Sequence, residues 1–180
     1  MTDVKIYTGR GDEGMTDLRN AARVAKTSHR IEAYGTVDEA NSLIGVIRPS
    51  GYDDVDDRLR TVQNHLHVIQ ADFADPDDEG DTPRIDDEHV DRLEEWMDDY
   101  DDELDPLDQF VLPSGSDPGA ELHHARTVVR RAERRAVDLA GAEPINGTAI
   151  AYLNRLSDVL FVFARVVNQR EGVSEESPTY

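Results

Sequence analysis

The sequence predicts an all-α protein, a five-helix bundle behind a glycine-bearing N-terminal loop. Three observations carry this reading. Apolar residues recur at spacings of three and four over five separate stretches, proline and glycine punctuate the gaps, and the last two stretches are long. At 1.5 Å per residue each of those two helices would run about 33 Å, which an antiparallel bundle packs most simply. With 180 residues the chain reads as a single domain over 1–180, long enough to bury most of a core without staples.

Residues 1–30 place Gly9, Gly11 and Gly14 among polar residues without a helical period, and read as an ordered loop or a mobile arm. The bundle proper is expected over 36–171. Its first helix spans about 36–48, where Thr36 and Glu39 make a capping box, Ala40, Leu43, Ile44 and Ile47 share a face, and Pro49 stops it. A second helix runs from about Val55 to Phe73 on Leu59, Val62, Leu66 and Ile69, and ends at Asp75-Pro76.

Between Asp75 and Asp108, 18 of 34 residues are acidic, yet Val90, Leu93, Trp96 and Met97 still mark a face. Ile85 and Val90 can staple an Asp86 cap, giving a third helix to about Leu104 whose other acids form its solvated side. After the break at 110–116, Asp117 and Pro118 supply a cap and a first-turn proline for a fourth helix reaching about Leu139. A turn at 141–147 leads to a fifth helix over about 148–169, which ends by Gly172, with 172–180 as a flexible tail. Leu153, Leu156, Val159, Leu160, Phe161, Val162, Phe163, Val166 and Val167 make this helix apolar on most sides. Burial all round is easier at the centre of an oligomer than in a monomer of this size.

Asp and Glu outnumber Lys and Arg 39 to 19, a net charge of −20, and only Lys5 and Lys26 among the bases are lysines. Acid excess with few lysines points to a salt-rich cytoplasm: near 1 M salt the Debye length is about 3 Å, so carboxylate repulsion is screened while surface hydration persists. The chain has no cysteine, which excludes disulfides and thiolate chemistry and points inside the cell. No export signal and no run of about 18 apolar residues is seen, so a membrane is not expected. The negative charge also argues against nucleic acid as a partner.

Arg126, Arg130, Arg131, Arg134 and Arg135 cluster on the fourth helix around Glu133, and Arg126, Arg130 and Arg134 stack along one face. Such a stripe is either a salt-bridged surface or a polyphosphate cradle, because guanidinium forks match phosphate oxygens. The segment from Thr8 to Thr16, with Gly9, Arg10 and Gly11, could approach phosphate closely or be a plain turn, since it lacks the Walker spacing. Asn154, Arg155 and Asp158 in the apolar fifth helix read as interhelical contacts or ligand contacts. Glu121 and His124 form one Glu-x-x-His pair, whereas di-iron bundles need two, so no metal site is assigned.

The blocks KIYTGRGDEGMTDL at 5–18, RVAKTSHRIEAYGTVDEANSLIG at 23–45, FVLPSGS at 110–116, ARTVVRRAERRAV at 125–137 and YLNRLSDVLFVFAR at 152–165 together resemble the PduO-type family of ATP:cob(I)alamin adenosyltransferases. The resemblance implies a homotrimer of ferritin-like, up-and-down five-helix bundles that moves the adenosyl group of ATP onto reduced corrinoid. ATP would lie at subunit interfaces, touching Thr8, Gly9, Arg10, Gly11, Thr16, Lys26, Arg130, Arg131, Glu133, Arg134 and Asn154. It further implies an Asp38–Arg126 pair across the interface, Phe110 at the lower face of the corrin, catalysis through these and Arg130, a magnesium ion, and a reductase or cobalamin-dependent enzyme as partner. Two departures stand out: Gly9 and Arg10 occupy the third and fourth places of the usual Tyr-Thr-Lys/Arg-Thr-Gly-Asp, and Ser114 follows Leu-Pro where glycine is usual. The rival readings are a non-catalytic nucleotide sensor or corrinoid chaperone and a ferritin-type metal protein. The salt reading has its own test: the melting temperature should rise as KCl goes from dilute to molar, and full stability in dilute buffer would contradict it.

Overall fold

In the computed structural model, residues 6–77 and 82–180 are described, so Lys5 and the acids at 78–81 lie outside the described residues. Helices dominate: α1 (His29–Ile47), α2 (Asp53–Phe73), α3 (Asp87–Asp101), α4 (Asp117–Ala142) and α5 (Gly147–Arg170). Ahead of them β1 (Met15–Asp17) and β2 (Arg23–Ala25) pair antiparallel, with Thr16 opposite Val24, inside the segment expected to be a loop. Three-residue strands are too short to display alternation. A turn closes the ribbon: Leu18 donates its N–H to Ala22 O at 2.8 Å, and Ala21 takes φ 64°, a left-handed conformation costly for alanine.

The α1 start is a correction. The helix begins at Ser28, whose Oγ accepts from Ile31 N at 3.5 Å, and Thr36 lies mid-helix, donating to Glu32 O at 2.6 Å instead of capping. Arg30 explains the error, because it occupies a buried position on the face of Ala33, Val37, Ala40 and Ile44 and so hides the apolar period of the first turn.

The α4 cap is also shifted. Ser116 Oγ accepts from Gly119 N at 3.3 Å, while Asp117 is already helical. On α3 the expected Asp86 cap is present, with His89 as the reciprocal partner, and the helix stops at Asp101, short of Leu104. Asp53, Asp54 and Asp56 crowd the first turn of α2, where the helix dipole favours negative charge.

α4 packs between α1 and α5, α2 lies on α1, and α3 covers α5. Within one chain Leu153, Leu156, Val159, Leu160, Phe163, Val166 and Val167 of α5 are inaccessible to solvent, while Phe161 and Val162 stay partly exposed. Helix ends are tied together by Arg30, which donates through Nε and Nη2 to Glu143 at 3.0 and 2.6 Å and through Nη1 to Phe73 O at 2.7 Å. The segment after Gly172, read as a tail, is bonded to the bundle by Arg165 to Glu175 at 2.7 Å and by Leu112 N to Glu176 O at 2.7 Å. No helix among the described residues is long and apolar enough to cross a membrane.

At the heart of the bundle Tyr152 is fully buried, and its hydroxyl meets His65 Nδ1 at 3.0 Å. Burial pushes His65 down from 6.5 to about 4, with the neighbouring His89 acting in the same direction. The unfolded chain binds this proton more readily, so the stability held above pH 6.5 should be lost as pH falls toward 4. Urea midpoints across that window should drop, and His65→Gln should flatten the slope.

Candidate functional site

The five arginines of α4 divide into two rows. Arg131 reaches Glu39 at 2.5 Å and Arg135 reaches Glu32 at 3.6 Å, so the row facing α1 answers carboxylates of its own chain. These pairs are about half exposed and worth little, on the order of 0–1 kcal/mol each. Arg126, Arg130 and Arg134 form the other row, and among the described residues none of them has a carboxylate partner. Arg134 Nη1 donates to Arg130 O at 2.9 Å, which lays its side chain back along the stripe. Arg126 is half-buried, and its Nε has no hydrogen-bond partner. Burial first, and then the positive charge of Arg130, lower its pKa. Uncompensated guanidinium charge stacked at one-turn spacing is what a polyanion would neutralise.

Beside this row Glu133 accepts from Asn154 Nδ2 at 3.0 Å, which brings those two expected site residues together across α4 and α5. Asn154 and Asp158 are exposed on α5, outside the all-round burial expected of that helix. Arg155 pairs with Glu94 of α3 at 2.9 Å and with Asp158 at 3.5 Å, the interhelical reading of that group. Asp38 is exposed on α1 and makes no pair within the chain among the described residues. No group of three or more His, Asp or Glu among the described residues could hold a metal ion.

In the N-terminal loop, Gly9 takes φ 70°, and Asp12 and Gly14 close successive turns onto Gly9 O and Gly11 O at 3.2 Å each. A Cβ on Gly11 would lie 3.1 Å from Lys26 Nζ, so the absent side chain lets the ammonium rest against the loop backbone. Lys26 N donates to Gly14 O at 2.9 Å, fixing that approach. Thr8 Oγ1 accepts from Arg10 N at 3.4 Å, Arg10 pairs with Asp17 at 2.9 Å, and Thr16 is held in β1. The structure thus gathers Gly11, Lys26 and their neighbours into one unit. No hydrogen bond or ion pair joins Thr8, Gly9, Arg10, Gly11, Thr16 or Lys26 to the α4 arginines among the described residues.

Phe110 stands 79% exposed in the 105–116 loop, beside a hollow of about 420 Å³ that Leu107, Pro178 and Tyr180 help to line. A second cavity of about 560 Å³ lies between this loop and residues 172–175, with Arg165 in its wall. The loop is tied down by Asn168, whose carboxamide bonds to Ser114 and Ser116. Sequence reasoning missed Asn168, and also Glu32 and Glu39 as partners of the stripe. The signals exist only as pairings between distant segments, so no local pattern reveals them.

A family model described as cobalamin adenosyltransferase matches residues 6–167. The chain is 47% identical over 179 residues to the corrinoid adenosyltransferase of Mycobacterium leprae (strain TN), covering 94% of each chain. It is 42% identical over 177 residues to that of Bacillus subtilis (strain 168), covering 96% of this chain and 91% of the relative. Among solved structures, a variant of the PduO-type ATP:corrinoid adenosyltransferase from Lactobacillus reuteri complexed with cobalamin and ATP superposes with a TM-score of 0.93 at 33% identity, covering 98% of this chain and 100% of that one. Another variant of the same enzyme, complexed with ATP, gives a TM-score of 0.91 at 33% identity, covering 97% and 100%.

Proposed function

Because the chain belongs to the cobalamin adenosyltransferase family, we propose that it transfers the 5′-deoxyadenosyl group of ATP to a reduced corrinoid. The observation that carries this reading is the row Arg126, Arg130 and Arg134, left without carboxylates among the described residues beside a row that has them. In the reaction, cobalt(I) supplies an electron pair to C5′, the cobalt–carbon bond forms, and the C5′–O5′ bond breaks toward the leaving triphosphate. Cobalt goes formally from +1 to +3. No general base is needed, so the protein's tasks are in-line positioning and neutralising charge on the leaving group.

Arg130, Arg131 and Arg134 suit the phosphates, with Arg131 released from its exposed Glu39 pair. Glu133 and Asn154, already bonded to each other, would meet the nucleoside end, and the loop carrying Thr8, Gly9, Arg10, Gly11, Thr16 and Lys26 would fold over the nucleotide. We place a magnesium ion on the triphosphate rather than in a protein cage, as Mg²⁺ commonly keeps its waters and binds substrate phosphates. Phe110 would sit against the lower corrin face and exclude a lower cobalt ligand, easing reduction to cobalt(I).

The trimer, the ferritin-like up-and-down packing and the interface location of ATP belong to the same proposal. Its support is that, among the described residues, neither Asp38 nor Arg126 has a partner, as two halves of an intersubunit pair would. The cytoplasmic, salt-rich setting rests on the acid excess and the scarcity of lysine, and a reductase or a cobalamin-dependent enzyme would be the macromolecular partner.

An anaerobic assay with reduced cobalamin and ATP tests the activity: the visible spectrum should shift to that of the alkylated corrinoid. Binding of ATP without that shift would favour a sensor or chaperone. Arg130→Ala should cut turnover roughly ten- to a hundredfold with the fold intact, the loss expected for a charge-assisted bond of about 1.5–3 kcal/mol. Phe110→Ala should slow turnover with ATP affinity nearly preserved, and a primary defect in ATP binding would contradict its role.

A further inference from the structure

We propose that Asn168 is a positioning residue for the loop that carries Phe110, acting through a carboxamide seated where Gly115 and Gly119 leave no side chain. The proposal rests on the adenosyltransferase reading for its catalytic consequence, though not for its structural one.

Asn168 lies in the last turns of α5 and is 3% exposed. Its Oδ1 accepts from Ser116 N at 3.0 Å and Ser116 Oγ at 3.2 Å, and its Nδ2 donates to Ser114 O at 3.0 Å. The same residue's backbone carbonyl accepts from Val173 N at 2.8 Å, so one position grips both the 114–116 turn and the chain leaving α5. The seat is shaped for this group. A Cβ on Gly115 or on Gly119 would come within 2.0 Å of Asn168 Oδ1, so any side chain at either position would expel the amide. Gly115 also holds φ 138°, where other residues are strained.

Both functions of the amide are in use. A carboxylate would keep the acceptor for Ser116 and set a second oxygen against the Ser114 carbonyl, while an apolar group would orphan a buried donor and acceptor together. Phe110 cannot fix itself, because it is 79% exposed. Its placement depends on anchors downstream: Leu112 N to Glu176 O at 2.7 Å, and then the Asn168 bonds at Ser114 and Ser116.

The alternative is that Asn168 merely steadies the Ser116 cap of α4. Asn168→Asp in the full chain separates the two. Hydrogen exchange should speed up at amides 110–116 while those in the interior of α4 and α5 hold, and unchanged exchange at 110–116 would overturn the proposal. Turnover should fall roughly tenfold with ATP affinity retained, and the cobalt(II) EPR spectrum should show the lower ligand bound. In a Phe110→Ala background the same substitution should cost less than about twofold, because residues acting as a unit are non-additive. Equal losses in both backgrounds, or a loss of ATP affinity together with a uniform drop in stability, would reduce Asn168 to scaffold. Should Asn168→Asp not fold, Asn168→Ser goes through the same cycle. If the wild-type chain fails to alkylate cobalamin, the functional reading falls, while the exchange result still decides whether the clamp exists.

Discussion

A single buried guanidinium sets the arrangement on which the site depends. Arg30, 3% exposed, joins the start of α1 to the end of α2 through the Phe73 carbonyl and to the end of α4 through Glu143. A charge taken out of water is tolerable only when it is paired and its hydrogens are used, and here Glu143, Phe73 and Asp75 supply four acceptor contacts. The resulting registration of α1 against α4 puts Glu39 beside Arg131 and Glu32 beside Arg135. Among the described residues the row one step round the helix is left without carboxylates. At the opposite end of α4 a neutral group, the Asn168 carboxamide, does the corresponding work for the 110–116 loop.

The sequence was legible wherever structure is local. α2, α3 and α5 fall within a few residues of their apolar periods, and the Asp86 cap sits where the pattern puts it. The failures share a cause, which is dependence on distant segments. Arg30 at a core position hid the first turn of α1, since only contact with α2 and α4 makes an arginine acceptable there. The ribbon of β1 and β2 is too short to alternate, and is held by turn geometry and by Arg19 N bonding to Ala74 O at 3.1 Å. Most of the apolar wrap of α5 is covered by α4 and α3 of the same chain, with Phe161 and Val162 left partly exposed.

For the candidate site the same division holds. The i, i+4 spacing announced a cationic face on α4, whereas the bond of Asn154 to Glu133 joins residues of two helices. What spacing could not decide is which arginines would be occupied, since that is settled by two glutamates on another helix seven residues apart. The glycine loop was likewise recognisable by composition, whereas the contact of Lys26 with Gly11 is a product of strand pairing.

The bare arginine row also lies within a molecule whose net charge is −20. A polyanion diffusing toward it meets an opposing field first and the attractive face only at short range, roughly inside 8 Å at 0.15 M ionic strength. Added electrolyte erases the distant term sooner than the contact bonds. Nucleotide association should therefore quicken as salt increases, the reverse of the behaviour of sites that draw their anions from afar.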